Sequence, residues 1–241
     1  YAEGARAFAY WIALMIDIEQ NHPDSDERAA HGDLVTLLTP IVKAFITDNA
    51  FEATNEGLQV FGGHGYIADW GMEQFVRDSR INMIYEGTNT IQSLDLLGRK
   101  VLGNQGATLK KFGKEIEALI REEGVNEAMA PFITPLAGLA DQMTKFTTEV
   151  GFKAFQNPDV VGAAAVDYLR VAGHLVFGYF WARMAQVALR KIEAGDTDPH
   201  YQAKLQTARF YFAKLFPETA SLMRTARADT AVLMDTDIAL A

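Results

Sequence analysis

The sequence predicts an all-α protein, and three observations carry that reading. Apolar residues recur with the 3.6-residue period of a helix along most of the chain. Short polar and acidic clusters stand where helices would begin, and glycines stand where they would stop. No run alternates apolar and polar residues over strand length between turn signals, so nothing supplies a sheet.

The elements follow in order. A first helix over about 2–21 holds the ten-residue apolar run Ala7 to Ile16, closed by Arg6 and Asp17. That run is far short of the roughly 20 residues a membrane span requires, so it reads as a buried helix. Pro23, Asp24, Ser25, Asp26 and Glu27 mark the start of a second helix over about 25–61, because short polar and acidic side chains suit unsatisfied N–H groups and the positive dipole end. Leu34, Leu37, Leu38, Ile41, Val42 and Phe45 form its apolar stripe, Phe51, Thr54, Leu58 and Phe61 extend it, and Pro40 is a candidate kink. Further helices are expected over about 71–83, 88–102, 104–123, 130–155, 158–194, 199–215 and 218–235. Asn157-Pro158-Asp159 and Asp198-Pro199 are start signals, and Gly195 is a stop. The apolar stretch 160–181 is long enough for a span but contains Asp167, Arg170 and His174 on one helical stripe, which reads as a core helix with a polar seam.

Composition excludes several functions. The 241 residues carry 22 Lys and Arg against 31 Asp and Glu, a net charge of −9, which argues against a nucleic-acid binder or a polybasic membrane binder. There is no cysteine, so disulfide scaffolds, thiol nucleophiles and cysteine zinc sites are absent, and a reducing, cytoplasmic setting is expected. His22, His31, His64 and His200 lack metal-ligand spacing, so no metal site is expected. The acidity sits in residues 1–102, and with Gly98, Gly103 and Gly106 this sets an expected division into 1–102 and 103–241. The chain opens on Tyr1-Ala2-Glu3 without an initiator Met, which reads as part of a longer protein.

Two glycine-bearing breaks stand at helix boundaries. The first, Gln59 to Tyr66, reads QVFGGHGY; its glycines either turn the chain or expose backbone to a phosphate or flat ring. It is not a Rossmann fingerprint, because no strand precedes it. The second, Ile84 to Gln92, reads IYEGTNTIQ. Glu86 there precedes Thr88, a good N-cap, and Met83, Ile84 and Tyr85 are apolar neighbours suited to raising a general base's pKa; the alternative is a surface Glu favoured by the helix dipole.

The order QxFGGxGY, then Arg77-Asp78-Ser79-Arg80, then IYEGTxxIQ resembles the C-terminal helical domain of the acyl-CoA dehydrogenases, over residues 1–102. The resemblance implies an up-and-down four-helix bundle from an FAD-dependent enzyme that oxidises an acyl-CoA to a 2-enoyl-CoA, works as a dimer or tetramer and passes electrons to an electron-transfer flavoprotein. Glu86 matches the family's α-proton base in the YEGT form, and its backbone N–H matches a donor to the thioester oxygen. Some branches place the base on another helix; the Glu in YEGT favours the ordinary placement. Gln59, Gly62 and Gly63 match positions that meet the FAD of a neighbouring subunit, and Thr88 and Thr90 match positions near the flavin's phosphate and ribityl region. Some relatives carry Gln at the position of Thr90. Residues 103–241 resemble the extra helical domain of a longer bacterial branch that includes 3-methylthiopropionyl-CoA dehydrogenases. In that part Phe177, Tyr179, Phe180 and Trp181, with Gly162, Gly173 and Gly178, suit close helix packing or a subunit interface. A non-catalytic oligomerisation or scaffold module is the alternative, and intact base and flavin-contact positions weigh against it.

Overall fold

The computed structural model describes residues 1–234, all of them helix or connecting turn, with no strand among them. Two units result, Tyr1–Leu96 and Leu97 onward. In the first, α1 (Ala2–Asn21) and α2 (Ser25–Phe61) are followed by the single turn α3 (Gly63–Tyr66), a 3₁₀ turn (Ala68–Trp70), α4 (Met72–Ile81) and α5 (Asn89–Leu94). A π-helical segment, Asp95–Val101, continues α5 directly.

The 37-residue α2 is the spine of this unit, about 55 Å long at 1.5 Å per residue, and α1, α4 and α5 all pack on it. Its start is capped as expected, with Asp24 accepting from the Asp26 N–H at 2.8 Å. The helix continues through Pro40. Phe8, Ile12 and Met15 of α1 and Leu37, Leu38, Ile41 and Phe45 of α2 are buried, and each such side chain contributes about 1.5–3 kcal/mol when removed from water. The apolar run 7–16 is buried on one face only: Tyr10 and Leu14 are exposed. A helix of 3.6-residue period inside a two-layer unit has only one side facing the core, so ten successive apolar residues cannot all be covered.

The corner after α2 depends on glycine at two positions for different reasons. Gly62 has φ +60°, which a side chain would strain. Gly65 is buried, and a β-carbon there would collide with the Leu58 carbonyl oxygen and sit 2.8 Å from the Phe61 β-carbon. Around Gly63 there is open space.

The second unit holds α6 (Ala107–Glu123), α7 (Ala130–Gln156), α8 (Asp159–Glu193), α9 (Pro199–Phe210) with a π-helical continuation (Tyr211–Leu215), α10 (Glu218–Thr225) and α11 (Ala231–Met234). The expected helix over 218–235 is thus broken at 226–230, and its last residue lies outside the described residues. Asp198 caps α9, accepting from the His200 N–H at 2.9 Å, and Asn157, one residue ahead of the Pro158 N-cap of α8, accepts from the Asp159 N–H at 3.0 Å. Gly195 stops α8 with φ +84°. α7, α9 and α10 surround α8, where every residue from 171 to 182 is buried, including Phe177, Tyr179, Phe180 and Trp181. Both α2 and α8 are long and apolar enough to cross a membrane, yet each is the packed central helix of its unit. Gly178 lets Phe216 approach to 2.7 Å from where its β-carbon would be, whereas Gly162 faces open space and has no such packing role.

The polar seam of α8 acquires partners from α9 and α10. Arg170 donates to both carboxylate oxygens of Glu218 at 2.5 and 3.0 Å. His174, wholly buried, places Nε2 3.0 Å from Glu218 and Nδ1 3.0 Å from the Tyr211 hydroxyl. Asp167 lies outside this chain and accepts from Thr225 at 2.7 Å. Burial pushes the Glu218 carboxyl upward, but hydrogen bonds from His174 and Arg170 prevail and hold it at about 2. Burial lowers the His174 ring below its ordinary 6.5, only partly opposed by Glu218. Glu218 is therefore an acceptor, His174 donates from Nε2, and Nδ1 accepts from Tyr211. These residues form a hydrogen-bonded network that runs from the buried His174 and Tyr211 to the half-buried Glu218 and Arg170.

Two predictions follow from these packings. Gly65→Ala should lower stability by about 2 kcal/mol, while Gly63→Ala should change it by less than about 0.5 kcal/mol, measured by urea denaturation; equal effects would contradict the corner geometry. Acid should weaken the second unit in two stages. The depressed His174 makes stability fall as pH drops below 6.5, the value in the unfolded chain, and the depressed Glu218 makes it fall again between 4.5 and about 2. His174→Gln should abolish the first stage in a pH series of melting temperatures.

Candidate active site at the Glu86 loop

Seven residues, 82–88, turn the chain from α4 into α5. The Tyr85 N–H extends the end of α4 by bonding the Ile81 carbonyl at 3.2 Å, and the Tyr85 hydroxyl donates to Asn82 at 2.6 Å. Glu86 and Gly87 then take consecutive left-handed conformations, with φ +52° and +85°. For a residue with a β-carbon this costs about 1–2 kcal/mol, so the surroundings must hold it in place. Thr88 starts α5, its hydroxyl accepting from the Ile91 N–H at 3.4 Å and its carbonyl from the Gln92 N–H at 3.0 Å.

Side chains on both neighbouring helices grip the two strained residues. Gln92 Nε2 reaches back to the Glu86 carbonyl at 3.3 Å. From α2, Lys43 Nζ donates to the Gly87 carbonyl at 2.8 Å and to Asn89 Oδ1 at 2.7 Å. Asn89 Nδ2 in turn donates to Asp48 Oδ1 at 2.6 Å and the Thr47 hydroxyl at 2.9 Å. Burial lowers the Lys43 ammonium below its ordinary value, against the opposing charges of Asp48 and Glu86.

This places an exposed Glu86 carboxylate beside its own backbone N–H, which makes no hydrogen bond among the described residues. Such a pair can take a proton and donate to a developing oxyanion on the same molecule. The covering by Met83, Ile84 and Tyr85 expected from sequence is not supplied within the chain: Ile84 and Tyr85 are themselves 47% and 50% exposed.

Thr88 and Thr90 lie with Glu86, both exposed, at the loop and the first turn of α5. Gln59, Gly62 and Gly63 are exposed as well but stand at the far end of α2. Nineteen residues separate Lys43, which anchors the loop, from Gly62, about 28 Å along the helix axis. The loop and the glycine corner are therefore two sites on one spine. Sequence reasoning missed Lys43, Asp48, Asn89 and Gln92. The available signal was a lysine set among buried apolar positions of α2 with Thr47 one turn later. In the second unit, the cleft of about 370 Å³ lined by Phe146, Glu149, Lys153 and Arg227 has its cations committed, since both bond Glu149 at 2.8 Å.

Residues 2–102 match the family model described as the acyl-CoA dehydrogenase C-terminal domain, and residues 112–237 match that described as acetyl-CoA dehydrogenase C-terminal like. Among curated proteins the chain is 34% identical over 222 residues to the 3-methylmercaptopropionyl-CoA dehydrogenase of Ruegeria pomeroyi, covering 91% of this chain and 37% of that protein. It is 29% identical to the broad-specificity linear acyl-CoA dehydrogenase FadE5 of Mycobacterium tuberculosis, covering 90% and 37%. The crystal structure of Caenorhabditis elegans ACDH-11 in complex with C11-CoA shares the fold with a TM-score of 0.70 at 21% identity, covering 98% of this chain and 38% of that one. The chain spans under two fifths of the length of each of these proteins. With family models matching both parts of the chain and 34% identity to a curated member over 91% of it, the chain belongs to the acyl-CoA dehydrogenase family.

Proposed function

We propose that this chain supplies the base and part of the flavin surround of an FAD-dependent acyl-CoA dehydrogenase, within a longer protein. The observation that carries the reading is the Glu86 loop: a carboxylate and an unused N–H, held side by side by a strained turn gripped from two helices. The Glu86 carboxylate removes the α-proton of the thioester, and its N–H donates to the thioester oxygen as enolate character develops. The flavin, when bound, accepts the β-hydride. The substrate loses one proton and one hydride and becomes a trans-2-enoyl-CoA.

The residues present fit a flavin in two places. At the α2 corner, Gly62 and Gly63 have nothing within 4 Å where a β-carbon would be; the Gly62 N–H is bonded to the Gln59 carbonyl at 3.0 Å, so the approach open to a phosphate or ring is at the Gly63 backbone. At the loop, Thr88 and Thr90 are exposed next to Glu86. The 28 Å between the two places supports the reading that they serve different flavins, the loop its own and the corner that of a neighbouring subunit. Val60, Phe61, Tyr66, Trp70 and Phe75 are exposed around the corner, an apolar surface that suits burial in an oligomer and against further parts of the protein. On this reading the catalytic bundle runs over 1–102, a few residues past the division of the structure at Leu96, and the helices from Ala107 on belong to an added domain.

In the full-length protein, Glu86→Gln should keep FAD bound while slowing flavin bleaching by acyl-CoA by about 10³-fold or more; bleaching at the wild-type rate would sink the assignment. The 241-residue chain alone should purify without colour, because it holds only edges of the flavin site; stoichiometric flavin absorbance would refute this.

A further inference from the structure

We infer that Lys43 is a positioning residue for the Glu86 base, acting through the Gly87 carbonyl and Asn89, and the inference rests on Glu86 being that base. Lys43 is half-buried on α2, next in sequence to the buried Ala44 and Phe45, and its ammonium reaches out of the helix to the loop. Two of its hydrogens meet Gly87 and Asn89 at 2.8 and 2.7 Å. The Gly87 carbonyl belongs to the Gly87–Thr88 peptide plane and the Glu86 carbonyl to the Glu86–Gly87 plane, so holding both pins the two peptides that follow the Glu86 α-carbon and with them the left-handed turn that carries the base. Gln92 holds the preceding carbonyl, and the Asn89 contacts to Thr47 and Asp48 set the position of the acceptor itself.

The grip has an electrostatic consequence. The charged groups facing Lys43 are Asp48 on its own helix and Glu86 in the loop; Asn89 and Thr47, also against it, are neutral. Asp48 is already bonded to Asn89. Lys43 thus stands as a fixed cation beside the base, its field strongest when a bound thioester excludes water from the site.

The test uses the full-length holoenzyme. Lys43→Met should lower kcat about 10- to 100-fold and raise the acid limb of the kcat profile, which reports the enzyme–substrate complex, by about half a pH unit or more. Hydrogen exchange of residues 84–90 should also quicken in protein without substrate. Lys43→Gln keeps donors but not the charge; it should move the acid limb similarly while leaving exchange nearer the wild type, and it serves if the Met variant does not fold. Lys43→Arg should restore the acid limb. An acid limb unmoved in both Met and Gln variants, or unchanged loop exchange in Met, overturns the assignment. If Glu86→Gln keeps wild-type rates, the base reading fails and the Lys43 role falls with it. If Glu86→Gln is inactive and only the Lys43 results fail, Glu86 stands and Lys43 is structural.

Discussion

Two residues with positive φ in succession, one of them a glutamate, are an expensive way to join two helices, and the loop from α4 to α5 uses them where a looser turn would serve. The strain at Glu86 is about 1–2 kcal/mol. A hydrogen bond from an ammonium contributes about 1.5–3 kcal/mol, so the Lys43 contacts are of the right size to offset it. The consequence is geometric. With the Glu86 and Gly87 carbonyls tied to Gln92 and Lys43, the turn is held while Glu86 stays exposed and its N–H makes no hydrogen bond among the described residues.

The spine on which this loop is pinned also sets the larger arrangement of the site. α2 carries Lys43 near its middle and the glycine corner at its end, so its length fixes how far apart the base and the open glycine backbone lie. A single rigid helix between the two makes their separation insensitive to loop variation. The buried network of Arg170, His174, Tyr211 and Glu218 plays a different part, specifying how α9 and α10 dock on the all-round apolar α8. An apolar helix without such a seam has little to choose between one rotation and another.

Most of the fold was legible because it is written locally. Helical period, the Asp24 and Asp198 caps, the Asn157 turn ahead of α8 and the Gly195 stop all act within a few residues, and each stands where the chain predicts it. The π-helical segments at Asp95–Val101 and Tyr211–Leu215 were not legible, since one extra residue per turn leaves no mark in composition. The breaks of the site were visible as glycine-bearing motifs, but their supports were not. Lys43 lies 44 residues from Gly87, and Glu218 lies 44 residues from His174, so each pairing depends on how helices pack rather than on spacing. Of the two sequence readings of Glu86, covered by apolar neighbours or lying at the surface, the chain by itself shows the exposed one, with Ile84 and Tyr85 exposed beside it.

The central claim is that the Glu86 carboxylate meets the substrate's α-carbon. A crystal structure of the full-length protein with FAD and a non-reactive acyl-CoA analogue tests it most directly. The account predicts a Glu86 carboxylate oxygen about 3–3.5 Å from the α-carbon, with the Glu86 N–H bonded to the thioester oxygen. A different carboxylate at that carbon, with Glu86 turned away, would contradict it.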